Sequence, residues 1–110
     1  MTFFATWCPY CQKQTPVLNK AYEQYHEQIH FISISVNESQ EKVQEYINKM
    51  GINFPIGLDG NTLVAQAYQV SGFPTTFFLD KDGGIIAKHV GQLKEDSISD
   101  YISDLLSKVP

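Results

Sequence analysis

The sequence predicts an α/β domain in which a mainly parallel sheet is covered by helices and ends in an antiparallel edge. Three observations predict it. Apolar residues switch between helical and alternating periodicity along the chain, in the order strand, helix, strand, helix, strand, helix, hairpin, helix. Two strand-like runs flank Lys81-Asp82-Gly83-Gly84, a hairpin signal. With 110 residues the chain holds one domain, residues 1–110, and is too short for two ordinary ones.

Each element has a local reason. Met1-Thr2-Phe3-Phe4-Ala5 is expected to be the end of a buried strand. Residues Pro9 to about His26 are expected to be helical, because Leu18, Ala21, Tyr22 and Tyr25 recur on one stripe. Pro16 lies inside that helix and is expected to kink it, having no N–H to give. The run His30–Val36 is rich in β-branched residues and predicts a buried strand. Residues Asn37 to Ser39 offer N-caps for a helix whose buried stripe is Val43, Tyr46, Ile47 and Met50, and Gly51 stops it. Phe54–Leu58 predicts a short strand, and Asp59-Gly60-Asn61 turns the chain into a helix over about Thr62–Gln69. Thr75–Asp80 and Ile85–Val90 form the hairpin. The last helix is expected over about Lys94–Lys108, burying Ile98, Tyr101, Ile102, Leu105 and Leu106.

Composition narrows the function. Hydrophobic residues make up 43%, aromatics 13% and charged residues 18%, which excludes a disordered chain. The excess of 12 acidic over 8 basic residues argues against a nucleic-acid partner. No run approaches the roughly 20 apolar residues of a membrane-spanning helix. No basic segment followed by a long apolar one opens the chain, so no signal peptide is visible.

The two cysteines sit three apart, as Cys8-Pro9-Tyr10-Cys11, so they are a redox pair or half of a zinc site. The pair lies directly after a predicted strand and at the start of a predicted helix. A helix N-terminus carries partial positive charge and free N–H groups, and both stabilise a thiolate. Pro9 suits the first helical turn, where no N–H is needed. Cys11, one turn further in, is expected to be the less exposed sulfur and to close on Cys8. This arrangement suits thiol–disulfide exchange, with Cys8 as the attacked or attacking sulfur and Cys11 as the resolving one. A buried structural pair is the plainer alternative. Zinc wants four ligands, and there is no second cysteine pair.

Gly72-Phe73-Pro74-Thr75 precedes the hairpin's first strand. A proline at a strand's first residue, after this turn, is a candidate cis bond that would leave the Phe73 backbone free to pair with an extended substrate; an ordinary trans entry is the alternative.

These residues carry a resemblance. Phe3-Phe4-Ala5-Thr6-Trp7-Cys8-Pro9-Tyr10-Cys11, Pro16, and Gly72-Phe73-Pro74-Thr75-Thr76-Phe77 together resemble the thioredoxin fold. Val36-Asn37-Glu38-Ser39, the following helix, Gly51-Ile52-Asn53-Phe54-Pro55-Ile56 and Asp59 resemble the helix–strand insertion of its TlpA/ResA-like branch. The resemblance covers essentially the whole chain. It implies a central mixed sheet flanked by helices, with the first strand clipped at Met1. It implies a thiol–disulfide oxidoreductase, working as a monomer on protein disulfides and dithiols and recharged by an upstream thiol reductant. Its only redox group is the Cys8–Cys11 disulfide, with no separate cofactor or metal. Cys8 is then the nucleophile, Cys11 the resolving thiol and Pro74 a cis residue facing them. Trp7 shields the pair, and Trp7, Pro9, Tyr10, Phe73 and Pro74 meet the substrate. Glu38 takes the position of a glutamate that modulates the cysteines' protonation; without the resemblance it reads as a solvated cap residue. Many relatives work outside the cytoplasmic membrane on an N-terminal anchor, cytochrome c maturation being one use. An extracytoplasmic location is therefore implied if an anchor lies upstream, and a cytoplasmic one otherwise. The sequence departs from the family at Thr2, where ordinary thioredoxins keep a buried acid, at Phe4, and at Phe73, which is bulkier than usual.

Other motifs carry less. The Pro-Tyr between the cysteines also occurs in glutaredoxins, which makes a glutathione-dependent reductase the rival enzyme, although glutaredoxins lack the helix–strand insertion. A thioredoxin-fold binding module without turnover is a third reading, but such modules commonly lose one cysteine. His26-Glu27-Gln28-Ile29-His30 spells a zinc-protease motif, which needs one continuous helix, and its second half runs into the predicted strand. His89 is expected to be exposed. Asn37-Glu38-Ser39 is a glycosylation sequon by letter only, and Lys94-Glu95-Asp96 is expected to be a solvated helix start.

Overall fold

A computed structural model describes residues 1–107. Its elements follow the predicted order: β1 (Thr2–Phe4), α1 (Pro9–Tyr25), β2 (Ser33–Val36), α2 (Gln40–Met50), β3 (Ile56–Asp59), α3 (Leu63–Ala67), β4 (Thr75–Leu79), β5 (Ile85–Val90) and α4 (Glu95–Ser107). The strands form one sheet in the order β3-β2-β1-β4-β5. The β1–β2 and β2–β3 pairs are parallel; β1–β4 and β4–β5 are antiparallel. The predicted mixed sheet with an antiparallel hairpin edge is therefore present. Lys108, the expected end of the last helix, lies outside the described residues.

Two strands are displaced from their sequence expectation, each for a ladder reason. β2 begins at Ser33 rather than His30, because Ser33 stands opposite Thr2, the first residue of β1, and the Thr2 N–H already uses the Ile32 carbonyl. β3 begins at Ile56 rather than Phe54. Pro55 has no N–H for a ladder, although its carbonyl accepts from the Ser33 N–H at 3.0 Å. β3 then runs on to Asp59, which is buried and accepts from the N–H groups of Val64 and Ala65. Asp59 therefore closes β3 and caps α3 together. Helix α1 runs unbroken through Pro16.

The central strand β1 divides the core by its pleat. Phe3 faces Phe77, Val36 and Ala65, with the Tyr68 ring tilted at its side. Phe4 faces the other way, onto Tyr46 of α2 and the two cysteines. Leu18 and Ala21 of α1 meet Phe78 of β4 and Ile98 and Ile102 of α4 in the largest cluster. Ser39 caps α2 by accepting from the Lys42 N–H, and Gly51 ends it at φ +62°, the left-handed conformation that glycine adopts without strain. In the hairpin turn Asp80 Oδ1 accepts from the N–H groups of Asp82 and Gly84, and Gly83 has φ +85°.

Candidate active site

The carboxyl end of β1 leads through Ala5-Thr6-Trp7 into α1, and Cys8 is the residue at the junction. Its backbone is extended, at φ −82° and ψ 117°, while its carbonyl already accepts from the Gln12 N–H at 3.1 Å. Cys8 thus caps the helix, and Pro9 occupies the first turn. The Cys8 sulfur accepts from the Cys11 N–H at 3.2 Å, where a serine or aspartate oxygen would ordinarily sit. Its own thiol faces the Phe73 carbonyl at 3.6 Å. Both cysteines are free and buried, at 4% and 3% exposure, so the expected difference in exposure between them is slight.

The Cys11 thiol is pushed well above the ordinary thiol range. Burial is the main cause; a hydrogen bond to Cys8 and the negative charges of Cys8 and Glu38 add to it, while the Ala5 backbone opposes it. Tyr46, from α2, is shifted upward for the same leading reason, burial, with the charges of Cys11, Cys8 and Glu38 contributing. Its hydroxyl lies 3.0 Å from that of Thr15, which in turn donates to the Cys11 carbonyl at 3.0 Å.

Glu38 stands between β2 and α2, half-buried. Asn37 before it has φ +58°, a left-handed turn that asparagine tolerates, and its N–H bonds the Asp59 carbonyl. The turn brings the Glu38 carboxylate back to the cysteine elbow. It accepts from the Thr6 N–H at 2.8 Å, from the Thr6 hydroxyl and from the Ser35 hydroxyl at 2.8 Å. Glu38 is therefore not the cap of α2, a place Ser39 fills.

The Phe73–Pro74 peptide is cis. Pro74 is fully buried, and its carbonyl accepts from the Gly91 N–H at 2.8 Å. The Trp7 and Phe73 rings meet edge to face at 6.0 Å. Trp7 is 64% exposed, and Tyr10 is exposed beside the Lys13 ammonium, so the rim of the elbow is aromatic and open. The structure thus brings Trp7, Cys8, Cys11, Glu38, Phe73 and Pro74 to one end of the sheet; Pro9 and Tyr10 lie on its exposed lip.

Sequence reasoning missed the polar residues behind Cys11. Gln14 and Thr15 are three and four positions after it on α1, so all three share the buried face. That spacing was the available signal, since polar residues at these positions must find partners inside. Thr6 was legible only as part of the motif around the cysteines. Thr2, where an acid was missing, pairs its hydroxyl with that of Thr76 at 3.0 Å. His89 corrects the expectation of exposure: it is half-buried, with Nδ1 3.1 Å from the Tyr101 hydroxyl, because β5 packs its alternate residues toward α4. The histidine-glutamate motif does not lie on a helix, for α1 ends at Tyr25 and His26 is its C-cap. Among the described residues no group of three His, Cys, Asp or Glu side chains is placed to hold a metal ion, and no helix is long and apolar enough to cross a membrane.

The chain is similar to thiol-disulfide oxidoreductase ResA of Bacillus subtilis, at 33% identity over 104 residues, 94% of this chain and 58% of the relative. ResA of Bacillus cereus is 28% identical over 106 residues, 96% of this chain and 61% of the relative. The chain therefore spans about three-fifths of the length of these curated relatives. The crystal structure of a thiol:disulfide interchange protein of the thioredoxin family from Chlorobium tepidum superposes with a TM-score of 0.84, at 27% identity, covering 96% of this chain and 77% of that one. The fold is thioredoxin-like. A family model described as Redoxin matches residues 1–105, nearly the whole sequence, and on that match the chain belongs to the Redoxin family.

Proposed function

We propose that the protein is a thiol–disulfide oxidoreductase that exchanges the Cys8–Cys11 dithiol and disulfide with protein disulfides, working as a reductase. One observation carries the reading: the Cys8 sulfur sits at the start of α1, accepts the Cys11 N–H and faces the Phe73 carbonyl of the proline loop. The Cys8 thiolate attacks a substrate sulfur, forming a mixed disulfide and releasing one substrate thiolate. Cys11 then attacks the Cys8 sulfur, the Cys8–Cys11 bond forms, and the second substrate thiol leaves. Two electrons pass to the substrate, and an upstream thiol reductant restores the pair.

The raised Cys11 thiol supports this division of labour. A resolving thiol that stays protonated does not compete with Cys8 for the first attack. Glu38, a carboxylate held beside the elbow, is the residue proposed to modulate Cys11. Trp7, Pro9, Tyr10, Phe73 and Pro74 are proposed to receive the substrate, since Trp7 and Tyr10 offer exposed aromatic surface at the rim. The proposal needs no redox group besides the cysteine pair. It places the protein outside the cytoplasmic membrane as a monomer, where disulfides of apocytochrome c haem-attachment sites are one substrate class.

Insulin-disulfide reduction tests the activity. Cys8→Ser should abolish it, and full activity in that variant overturns the reading. A midpoint potential near roughly −270 mV marks a reductant, whereas one near about −120 mV would reverse the direction.

A further inference from the structure

We propose that a single buried water, fixed by Gln14, is a hydrogen-bond donor that helps stabilise the Cys11 thiolate in the resolving step from the cavity side. Gln14 is 1% exposed, on the helix face it shares with Cys11. Its Oε1 accepts from the Leu93 N–H at 2.7 Å. That bond fixes the orientation of the amide, since reversing it would set two donors against each other. Nε2 is left as the single buried side-chain polar atom without a partner among the described residues. Leaving such a donor unpaired forfeits its hydration, so buried donors of this kind are ordinarily met by protein or water.

A partner has room nearby. A cavity of about 10 Å³ is lined by Gln14 and Cys11 together with Thr2, Thr15, Ser33 and Tyr46 among its polar walls. This is close to the minimum that holds one water; much of the wall is apolar, and of its polar groups the unpaired Gln14 Nε2 and the Cys11 sulfur are the partners the water takes. A water that accepts from Gln14 Nε2 there has both of its hydrogens to donate, one of them to Cys11 Sγ. The titratable groups around Cys11 are Cys8 at the start of α1, Glu38 before α2 and Tyr46 on α2; in the free dithiol the charges of Cys8 and Glu38 oppose the thiolate, and in the mixed disulfide, where Cys8 is uncharged, the Glu38 charge remains. Tyr46 shares its hydroxyl with Thr15. The Ala5 backbone already favours the thiolate; the water adds a second neutral donor, from the cavity side. In the step itself the Cys11–Cys8 bond forms, the Cys8–substrate bond breaks, and the proton lost by Cys11 is balanced by the one the departing substrate thiolate gains. Gln14 is thus a positioning residue, acting through the water.

The assignment rests on the thiol–disulfide reading, and the test separates the two. The reduced wild-type protein is crystallised to high resolution, and its reaction with an aromatic disulfide is followed as two releases of aromatic thiolate. A water within hydrogen-bond distance of both Gln14 Nε2 and Cys11 Sγ is expected. In Gln14→Met the first release, from attack by Cys8, should be unchanged. The second should slow about three- to tenfold, as for one lost hydrogen bond, and its pH midpoint should rise by roughly half to one unit. A cavity that holds no such water, or a second release with an unmoved midpoint, overturns the assignment. If Gln14→Met does not fold, the wild-type crystal decides alone, because the water either bridges the two atoms or does not. A wild-type protein whose Cys8 gives no first release overturns instead the thiol–disulfide reading itself.

Discussion

Thr6 holds Glu38 with both of its donors, its backbone N–H and its hydroxyl, across 32 positions of sequence. Thr6 is also two residues before Cys8, so the grip ties the carboxylate to the cysteine elbow rather than to its own helix. The Glu38 charge raises the Cys11 thiol. Glu38→Gln, which keeps the shape and removes the charge, should therefore lower the Cys11 thiol toward its ordinary range and, by easing ionisation of the resolving thiol, speed the second step of exchange. The pH dependence of Cys11 alkylation in a Cys8→Ser background reads the first effect, and insulin reduction the second. Thr6→Val should keep the fold and cost about 1–2 kcal/mol, the worth of one hydrogen bond to a partly buried carboxylate. An unchanged pH profile in Glu38→Gln would return Glu38 to a purely structural place.

The raised Cys11 thiol has a consequence for stability. A thiol that stays protonated in the folded chain but ionises in the unfolded one favours the unfolded state at high pH. Its contribution is complete below the ordinary thiol value of about 8.5 and is lost as pH rises above it. Urea melts of the dithiol form should show stability falling through that window. The slope should be weaker in Cys11→Ala and in the oxidised protein, where no Cys11 thiol titrates. Tyr46 is raised as well and should add a second decline at higher pH, above the ordinary tyrosine range of about 10.

How much of this was legible beforehand follows from the range of each signal. The cysteine elbow and the turn before β4 were readable because their determinants are local: a cap position, a first-turn proline, a proline at a strand start. The starts of β2 and β3 were not, because a strand ends where its partner ends, and the partners Thr2 and Ser33 are far away in sequence. Glu38 shows the limit most clearly. From its own neighbours it is a polar residue beside a helix cap, and its bonds to Thr6 come from a distant turn. Gln14 and Thr15 hid for a related reason. Polar letters on a helix suggest solvent, and only their spacing from Cys11 marks them as buried.

Phe3 is the test of the core behind the site. It is 0% exposed on the central strand, with the rings of Tyr68 and Phe77 at 5.6 and 5.8 Å. Removing it opens a cavity that neither β2 nor β4 can close without breaking ladder bonds. Phe3→Ala should cost about 3–5 kcal/mol, measured by denaturant unfolding. Phe3→Leu should recover much of that, because it keeps most of the buried volume. A loss below about 1 kcal/mol in Phe3→Ala would mean that the site collapses around the gap.

Trp7 separates catalysis from recognition. The indole is 64% exposed and leans on Phe73 alone among the aromatic rings. Little apolar area is lost when it is cut away, so Trp7→Ala should change stability by no more than about 1 kcal/mol. The reacting sulfur keeps its contacts, since the Cys11 N–H and the Phe73 carbonyl that touch Cys8 are backbone groups. Reaction with a small aromatic disulfide should therefore stay within about twofold of wild type, whereas reduction of a protein disulfide should fall about tenfold or more, the scale of a lost aromatic contact at an interface. Equal losses with both substrates would place Trp7 in the chemistry of the pair. Equal retention would remove it from the substrate surface and leave Tyr10, the other exposed ring on this rim, as the remaining aromatic contact to test in the same way.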